Sequence, residues 1–202
     1  MKGQFNTFFT ERESLLKKLH VRKENFAKHE AFLDFLWLKN QTHLNIVSRK
    51  MPAKDLFEKH LLDSFLALPL WPKEVKKIAD LGSGGGFPAI PFAIENPAQS
   101  FTLYEKSQKK QRYLNALIAH LKLNNVNVQG HIDKPTGFDL IIARAFKPTK
   151  DILSICSTHQ GAYFLFKATI EKINAELEGI DGAEIIELDT YDLDMQRHIV
   201  IL

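Results

Sequence analysis

The fold is decided by the stretch Asp80-Leu81-Gly82-Ser83-Gly84-Gly85-Gly86-Phe87-Pro88, which has four glycines in five positions. It follows a short apolar run at residues 78–81 that is typical of a β-strand, and Pro88 suits the first turn of a following helix. Glycines leave no side chain between the backbone and a ligand. A loop of this kind at the carboxyl end of a parallel strand is where open α/β sheets bind nucleotides.

Downstream of this loop, short apolar runs alternate with amphipathic stretches. The pattern predicts helices at 107–123, 150–158 and 168–177, the first of them capped by Ser107. Alternating strands and helices predict an α/β fold with a mainly parallel sheet covered on both faces and wound by right-handed crossovers. The predicted strands are residues 78–81, 100–104, 126–128, 138–143, 162–166, 185–188 and 198–202.

The first 70 residues show helical spacing of apolar side chains instead. Phe26, Phe32 and Leu36 lie on one predicted helix, and a second begins after Pro52 and ends at Pro69. We therefore predict two units, an N-terminal helical extension at 1–70 packed on a catalytic domain at 71–202.

Composition excludes several classes of protein. Of 202 residues, 45% are hydrophobic and 25% are charged, which excludes a disordered, collagen-like or coiled-coil chain. The single cysteine, Cys156, permits no internal disulfide, and the start of the chain lacks a secretion signal. No apolar run is long enough to cross a bilayer. We expect a soluble, cytoplasmic monomer that binds neither metal nor membrane.

The charge is distributed unevenly along the chain. Residues 1–60 carry a net +5 and residues 76–150 a net +6, whereas residues 151–202 carry −7. A basic front with an acidic back indicates a polyanionic partner on one side, although the same clustering also fits an ordinary solvated surface.

Two nucleotide cofactors compete for the glycine loop. The dinucleotide fingerprint is G-x-G-x-x-G, whereas the loop here has the spacing Gly82-x-Gly84-x-Gly86, which resembles motif I of class I S-adenosylmethionine (AdoMet) methyltransferases. Glu105, at the end of the second predicted strand, suits the ribose hydroxyls of either cofactor.

Four runs together resemble one family. His60-Leu61-Leu62-Asp63-Ser64, residues 80–91, Ala143-Arg144-Ala145-Phe146 and Arg197-His198-Ile199-Val200 occur in the same order in the RsmG (GidB) family. Members of that family methylate N7 of a guanine in 16S ribosomal RNA of the bacterial small subunit. The resemblance implies the class I methyltransferase fold, a Rossmann-like fold with a seven-stranded sheet, together with AdoMet as cofactor and 16S ribosomal RNA, or the small subunit, as partner.

The resemblance also implies roles for individual residues. Glu105 is expected to hold the ribose, and Arg144 to lie beside the methionine end of the cofactor or the target base. Lys109, Lys167 and Arg197 match basic positions around the cleft, whereas His131 stands where many members have an arginine that contacts RNA, and Ala168 stands where they usually have glycine. The remaining expected cofactor contacts are Gly82, Gly84, Gly86, Phe87, Ile132 and Asp133.

The chemistry of guanine N7 explains which motifs are missing. N7 already carries a lone pair in the base plane, so an in-line transfer needs positioning and no general base. The Asn/Asp-Pro-Pro-Tyr/Phe run of exocyclic-amine methyltransferases is absent after the fourth predicted strand, and Cys156 reads as a small core residue. The residues expected to serve the reaction are Arg144, Lys167 and Asp63.

Asp63 has two interpretations. Its carboxylate can accept hydrogen bonds from guanine N1 and N2. Alternatively, His60, Asp63 and Ser64, which share one helix face, bind this helix to the catalytic domain.

Lys109 and Arg112 lie on one helix face and suit RNA phosphate contacts, although Arg112 also fits a solvated face. Two further readings of the whole chain remain open: an AdoMet methyltransferase of a small molecule or protein, and a non-catalytic RNA-binding assembly factor. A dehydrogenase is disfavoured by the glycine spacing.

Overall fold

A computed structural model describes residues 3–41, 46–48, 50–132 and 134–202. In these ranges seven strands form one sheet in the order β3-β2-β1-β4-β5-β7-β6. Only β7 is antiparallel to its neighbours, so the predicted mostly parallel seven-stranded sheet is confirmed. The strands are β1 (Lys77–Leu81), β2 (Ser100–Tyr104), β3 (Val126–Gln129), β4 (Leu140–Arg144), β5 (Ala162–Lys167), β6 (Glu184–Glu187) and β7 (His198–Ile201).

The helices that cover the sheet follow the predicted alternation, and those of the first 70 residues precede it. They are α1 (Asn6–Glu11), α2 (Glu13–Lys18), α3 (Phe26–Lys39), α4 (Ala53–Leu56), α5 (Asp63–Phe65), α6 (Ala89–Glu95), α7 (Gln108–Leu121), α8 (Thr149–Ile155) and α9 (Ile170–Leu177). A π-helical segment, Phe57–Leu62, joins α4 to α5 without a break. Helix α1 begins at Asn6, and Phe5 and Phe9 are buried in the core.

Helix α7 shows how local sequence sets the ends of a helix. The Ser107 hydroxyl accepts from the backbone N–H of Lys110, as predicted, and Lys122 closes the helix in the left-handed conformation with φ of 52°. One face of α7 is buried against the sheet, and the other carries Lys109 and Arg112 to the surface.

The two faces of the sheet are buried in two different clusters, because side chains alternate along a strand. On one face, Ile78 and Leu140 pack in a large cluster that includes Phe32 of α3 and Phe92 of α6. On the other face, the neighbouring strand residues pack against α8 and α9 in a smaller cluster. The N-terminal helices therefore contribute to the same core as the sheet, and the boundary at residue 70 stays a prediction.

A buried polar contact also joins the N-terminal helices to α6. His29 Nε2 lies 2.7 Å from Glu95 Oε1, and Glu95 Oε2 accepts from the backbone and side chain of Arg22. Burial lowers the pKa of His29, so the ring is neutral and donates its Nε2 hydrogen. Burial raises the pKa of Glu95, but hydrogen bonds from His29 and Arg22 outweigh it and bring that pKa below its usual value.

We expect Glu95→Ala to lower the free energy of unfolding in urea by about 3 kcal/mol at pH 7, because it leaves buried donors without their acceptor. The lowered pKa of Glu95 means that its contribution is present above the ordinary value of 4.5 and is lost as the pH falls through the folded-state value. The difference in unfolding free energy between Glu95→Ala and the wild type should therefore become smaller at acidic pH. Asp55→Ala, which removes an exposed pair with Lys59, is the control and should cost much less. Equal losses of unfolding free energy in Glu95→Ala and Asp55→Ala would contradict this assignment.

Candidate active site

The glycine loop is fixed between the carboxyl ends of β1 and β2. The backbone N–H groups of Gly82 and Ser83 donate to Tyr104 O at 2.9 and 3.1 Å. Glu105 Oε2 accepts from the Gly84 N–H at 3.0 Å, and its other oxygen accepts from the Ser107 N–H at 2.8 Å. The predicted ribose-binding carboxylate is therefore held against the loop by two backbone hydrogen bonds, and each oxygen keeps a further lone pair for a ligand hydroxyl.

The glycines of the loop serve different needs. A Cβ on Gly82 would lie 2.4 Å from the ring of Phe146, and one on Gly86 would lie 2.8 Å from Ile90, so both positions are closed by the protein itself. At Gly84, with φ of 54°, the nearest described atom to such a Cβ is 3.7 Å away. Gly84 is thus the position where the loop leaves open space beside a backbone that a ligand can approach.

Asp80, directly before the loop, tests whether the site fits the predicted cofactor. Its side chain is buried, and among the described residues Oδ2 has no hydrogen-bond partner. Burial raises the pKa of Asp80 to about 7. A buried carboxylate oxygen of this kind needs a donor, and the α-ammonium group at the amino-acid end of AdoMet is a donor with the matching charge. The residues present therefore fit the cofactor.

Arg144, at the end of β4, is held by the π-helical segment and by α5. Its Nη1 donates to Asp63 Oδ2 at 2.9 Å and to the backbone oxygen of His60 at 3.3 Å, and it lies 3.5 Å from Ser64 Oγ. Its guanidinium carbon lies 5.3 Å from the ring centroid of Phe87. Burial lowers the pKa of Arg144 and the Asp63 carboxylate opposes that shift, so the guanidinium stays charged.

Asp63 also binds a second arginine. Arg197, directly before β7, donates its Nε hydrogen to Asp63 Oδ1, so each carboxylate oxygen is paired with a different arginine. Asp63 is only 5% exposed. The carboxylate therefore joins the N-terminal helices to the ends of two strands, β4 and β7, which is the second of its two predicted interpretations.

His60 completes this cluster. Arg144 Nη2 lies 3.1 Å from His60 Nδ1, and because a guanidinium can only donate, Nδ1 is the acceptor. Burial, followed by repulsion from Arg144 and Arg197, lowers the pKa of His60 to about 4. The ring is therefore neutral and carries its hydrogen on Nε2.

A cavity of about 540 Å³ lies at the ends of β4 and β5, beside these residues. Lys167, at the end of β5, lines it and forms an ion pair with Glu176 of α9, which also accepts from the backbone and hydroxyl of Thr149. The other charged or imidazole side chains in the lining are Lys59, His60, Asp63, Arg144, Lys147, Arg197 and His198.

The other predicted site residues are spread more widely. Lys109 and Arg112 are exposed on α7, His131 is exposed after β3, and Ile132 is half-buried beside it. Asp133 lies outside the described residues. Phe87 is buried, with its ring 4.8 Å from that of Phe32 and 5.4 Å from that of His60, all measured between centroids.

Sequence reasoning missed several residues of the cavity. Lys59 and Lys147 were not singled out, although both adjoin the runs that carry the family resemblance, and nothing in the sequence marks Glu176 as the partner of Lys167. Cys156, by contrast, is buried as predicted, and burial raises the pKa of its thiol to about 11.

The described ranges contain neither a metal-binding group of side chains nor a membrane-spanning helix. No group of three or more His, Cys, Asp or Glu side chains there is arranged to hold a metal ion. None of the helices in those ranges has the length and apolar character needed to span a bilayer.

This sheet order, with one reversed strand and a glycine loop after β1, is that of class I AdoMet-dependent methyltransferases. An O-methyltransferase from Bacillus cereus, solved with SAH, matches with a TM-score of 0.60 at 15% identity, over 84% of this chain and 89% of that one. The O-methyltransferase TomG from Streptomyces achromogenes, solved with SAM, gives a TM-score of 0.59 at 13% identity, over 86% and 89%. At these identities the likeness shows the fold.

The family follows from sequence comparison. The model of the GidB family, described as rRNA small subunit methyltransferase G, matches residues 25–190. Ribosomal RNA small subunit methyltransferase G 1 of Bdellovibrio bacteriovorus is 33% identical over 204 residues, 96% of this chain and 98% of that protein. The chain belongs to the GidB family of methyltransferases, which confirms the predicted family and, with the fold, the predicted cofactor AdoMet.

Asp80 gives a prediction for cofactor binding. Because its pKa is raised to about 7, the carboxylate gains a proton as the pH falls below 7, and a protonated carboxyl no longer attracts an ammonium group. The affinity for S-adenosylhomocysteine, measured by calorimetry, should fall about tenfold in total between pH 7 and 5 and level off near that of a neutral side chain. Asp80→Asn should bind about tenfold more weakly at pH 7.5 and lose this pH dependence.

The same substitution should stabilise the ligand-free protein. With a raised folded-state pKa, Asp80 lowers stability progressively as the pH rises from 3.8 to about 7, and the full cost is present at pH 8, so Asp80→Asn should raise the unfolding temperature there. Asp139→Asn is the matched control at the other end of β1, where Asp139 accepts from the backbone of Lys76 and Lys77. It should leave cofactor affinity unchanged. Unaltered binding by Asp80→Asn would refute the assignment.

Proposed function

We propose that this chain transfers a methyl group from AdoMet to N7 of a guanine in 16S ribosomal RNA, by direct in-line displacement without a general base. The observation that carries the proposal is the cavity at the ends of β4 and β5, whose lining is rich in cations. A neutral purine on an anionic backbone suits such a lining. The family description and the name of the Bdellovibrio relative support ribosomal RNA of the small subunit as the substrate.

The ion pairs of the two carboxylates in the cavity, Asp63 and Glu176, support N7 as the methyl acceptor. Asp63 pairs with two arginines, and Glu176 accepts from Lys167 and Thr149. Burial raises the pKa of Glu176, but these hydrogen bonds outweigh it and lower that pKa. Both carboxylates in the described lining are therefore engaged in ion pairs, and the lowered pKa of Glu176 makes that side chain poorly suited to accept a proton. Guanine N7 has no proton to lose, so its methylation needs no such group.

AdoMet, when bound, supplies an electrophilic methyl group on a sulfonium sulfur. In this proposal, Glu105 holds the ribose, Asp80 holds the α-ammonium group, and Ile132 packs against the adenine. Gly82, Gly84, Gly86 and Phe87 shape the loop, while Asp133 keeps its predicted role beside the adenine. The chain's contribution to the rate is then the alignment of N7 with the methyl carbon.

Arg144 and Lys167 are proposed to orient the acceptor from the floor and wall of the cavity. Asp63 orients Arg144 and Arg197, because each of its oxygens is already bound to one of them. Lys109, Arg112 and His131 are the proposed RNA contacts outside the pocket, and Arg197 is a proposed RNA contact in its lining. We further propose that the protein acts as a monomer in the cytoplasm, where its substrate is assembled.

The proposal is tested by mapping the product. Small subunits or 16S ribosomal RNA from cells lacking this protein are incubated with AdoMet and the purified chain, digested to nucleosides and analysed by mass spectrometry, with primer extension to locate the site. We expect one 7-methylguanosine per RNA. A methyl group on another atom would contradict the N7 assignment. No methylation of RNA or subunits would favour the assembly-factor reading or another substrate.

Lys109 allows a second test of RNA docking. If Lys109 contacts a phosphate, Lys109→Ala should weaken binding and reduce the slope of log affinity against log salt by about one. Lys122→Ala is the matched control, because Lys122 lies at the opposite end of the same 14-residue helix, about 20 Å away. Its salt slope should equal that of the wild type. Identical slopes for all three proteins would remove Lys109 from the RNA contacts.

A further inference from the structure

The His60 ring contacts Arg144 at the cavity that lies at the ends of β4 and β5. It lines the cavity, its centroid is 5.4 Å from that of Phe87, and its backbone oxygen accepts from Arg144. Three contacts therefore fix the His60 ring. Arg144 binds the backbone oxygen and Nδ1, and Phe87 lies against one face of the ring. A side chain fixed in this way presents its remaining nitrogen in a defined direction.

The hydrogen-bonding character of that nitrogen follows from its neighbour. Since Arg144 donates to Nδ1, the neutral ring must carry its hydrogen on Nε2. Protonation at Nδ1 would set two donors against each other, and the nearby charges of Arg144 and Arg197 oppose a cationic ring. His60 is therefore a neutral donor at the edge of a cationic pocket.

We infer that His60 donates its Nε2 hydrogen to O6 of the target guanine and selects guanine over adenine. The inference rests on the proposed function. Guanine presents an acceptor at O6 beside N7, whereas adenine presents an amino group there. A fixed donor facing that position forms a hydrogen bond with guanine and meets another donor in adenine. The N7 lone pair stays free for the methyl group.

The neutrality of His60 suits the charge that develops during transfer. Positive charge moves from the sulfonium sulfur onto the purine as the new N–C bond forms and the S–C bond breaks. A cationic donor at O6 would repel that charge, whereas a neutral N–H group still binds O6 with little opposition to the transition state. Arg144 and Arg197 remain engaged with Asp63, so their charge is partly neutralised beside the base.

Two substitutions separate base recognition from the support of Arg144. In His60→Asn, the amide oxygen can replace Nδ1 as the acceptor for Arg144, but the donor that reaches the base is lost. In His60→Gln, the longer amide can replace the Nε2 donor, and the Nδ1 acceptor is lost. Each variant is assayed on reconstituted small subunits in which the mapped target position carries guanine, hypoxanthine or 2-aminopurine. Hypoxanthine keeps O6, and 2-aminopurine lacks it.

We expect His60→Asn to lower kcat/KM about tenfold on guanine and on hypoxanthine, and to leave the slower rate on 2-aminopurine unchanged. His60→Gln should keep the wild-type preference for guanine over 2-aminopurine. His60→Asn and His60→Gln should have similar cofactor affinities and similar unfolding temperatures.

Equal losses on all three bases would overturn the inference, since they would show that His60 serves only to support Arg144. An unchanged preference in His60→Asn would overturn it as well. Failure of the proposed function is distinguishable, because the wild-type protein would then form no 7-methylguanine on the unmodified subunit.

Discussion

The site depends on one buried carboxylate. Asp63 holds Arg144 at the end of β4 and Arg197 at the start of β7, and it does so from the N-terminal helices. Two arginines this close repel each other, and burial adds a desolvation cost, so the arrangement is stable only while the carboxylate lies between them. The N-terminal helices are consequently part of the site, and any motion of α5 would move both arginines that Asp63 binds.

The charged side chains that line the cavity have two electrostatic roles. Under the proposed function, charges that bind an RNA backbone are needed near the pocket, yet cations at the base itself would oppose transfer of positive charge to the purine. Asp63 and Glu176 partly neutralise the cations that lie deepest, Arg144 and Lys167. Lys59, which pairs with Asp55, and Lys147 lie exposed at the rim, where a lysine can contact RNA phosphates away from the proposed reacting atoms.

The elements of the fold were predictable because their signals are local. Strand β2 was predicted at its observed bounds, and the Ser107 cap marks the start of α7, since alternation and capping depend on neighbouring residues. The π-helical segment before Asp63 carries no such signal. The pairing of Arg144 with Asp63 joins residues 81 positions apart, and that of Arg197 with Asp63 joins residues 134 apart. No periodicity specifies such contacts, because they follow from how helices dock on strands.

The glycine loop shows why a correct motif can still be misread in detail. Sequence reasoning treated its glycines alike, as space for a ligand. In the structure, Gly82 is closed by Phe146, whose position follows from Ala145 in the left-handed conformation with φ of 52°. Such a backbone costs an alanine about 1 kcal/mol. Gly82 and Gly86 therefore permit packing, and Gly84 leaves backbone accessible. Neighbouring side chains fill the space beside Gly82 and Gly86, so the loop leaves space for a ligand at Gly84.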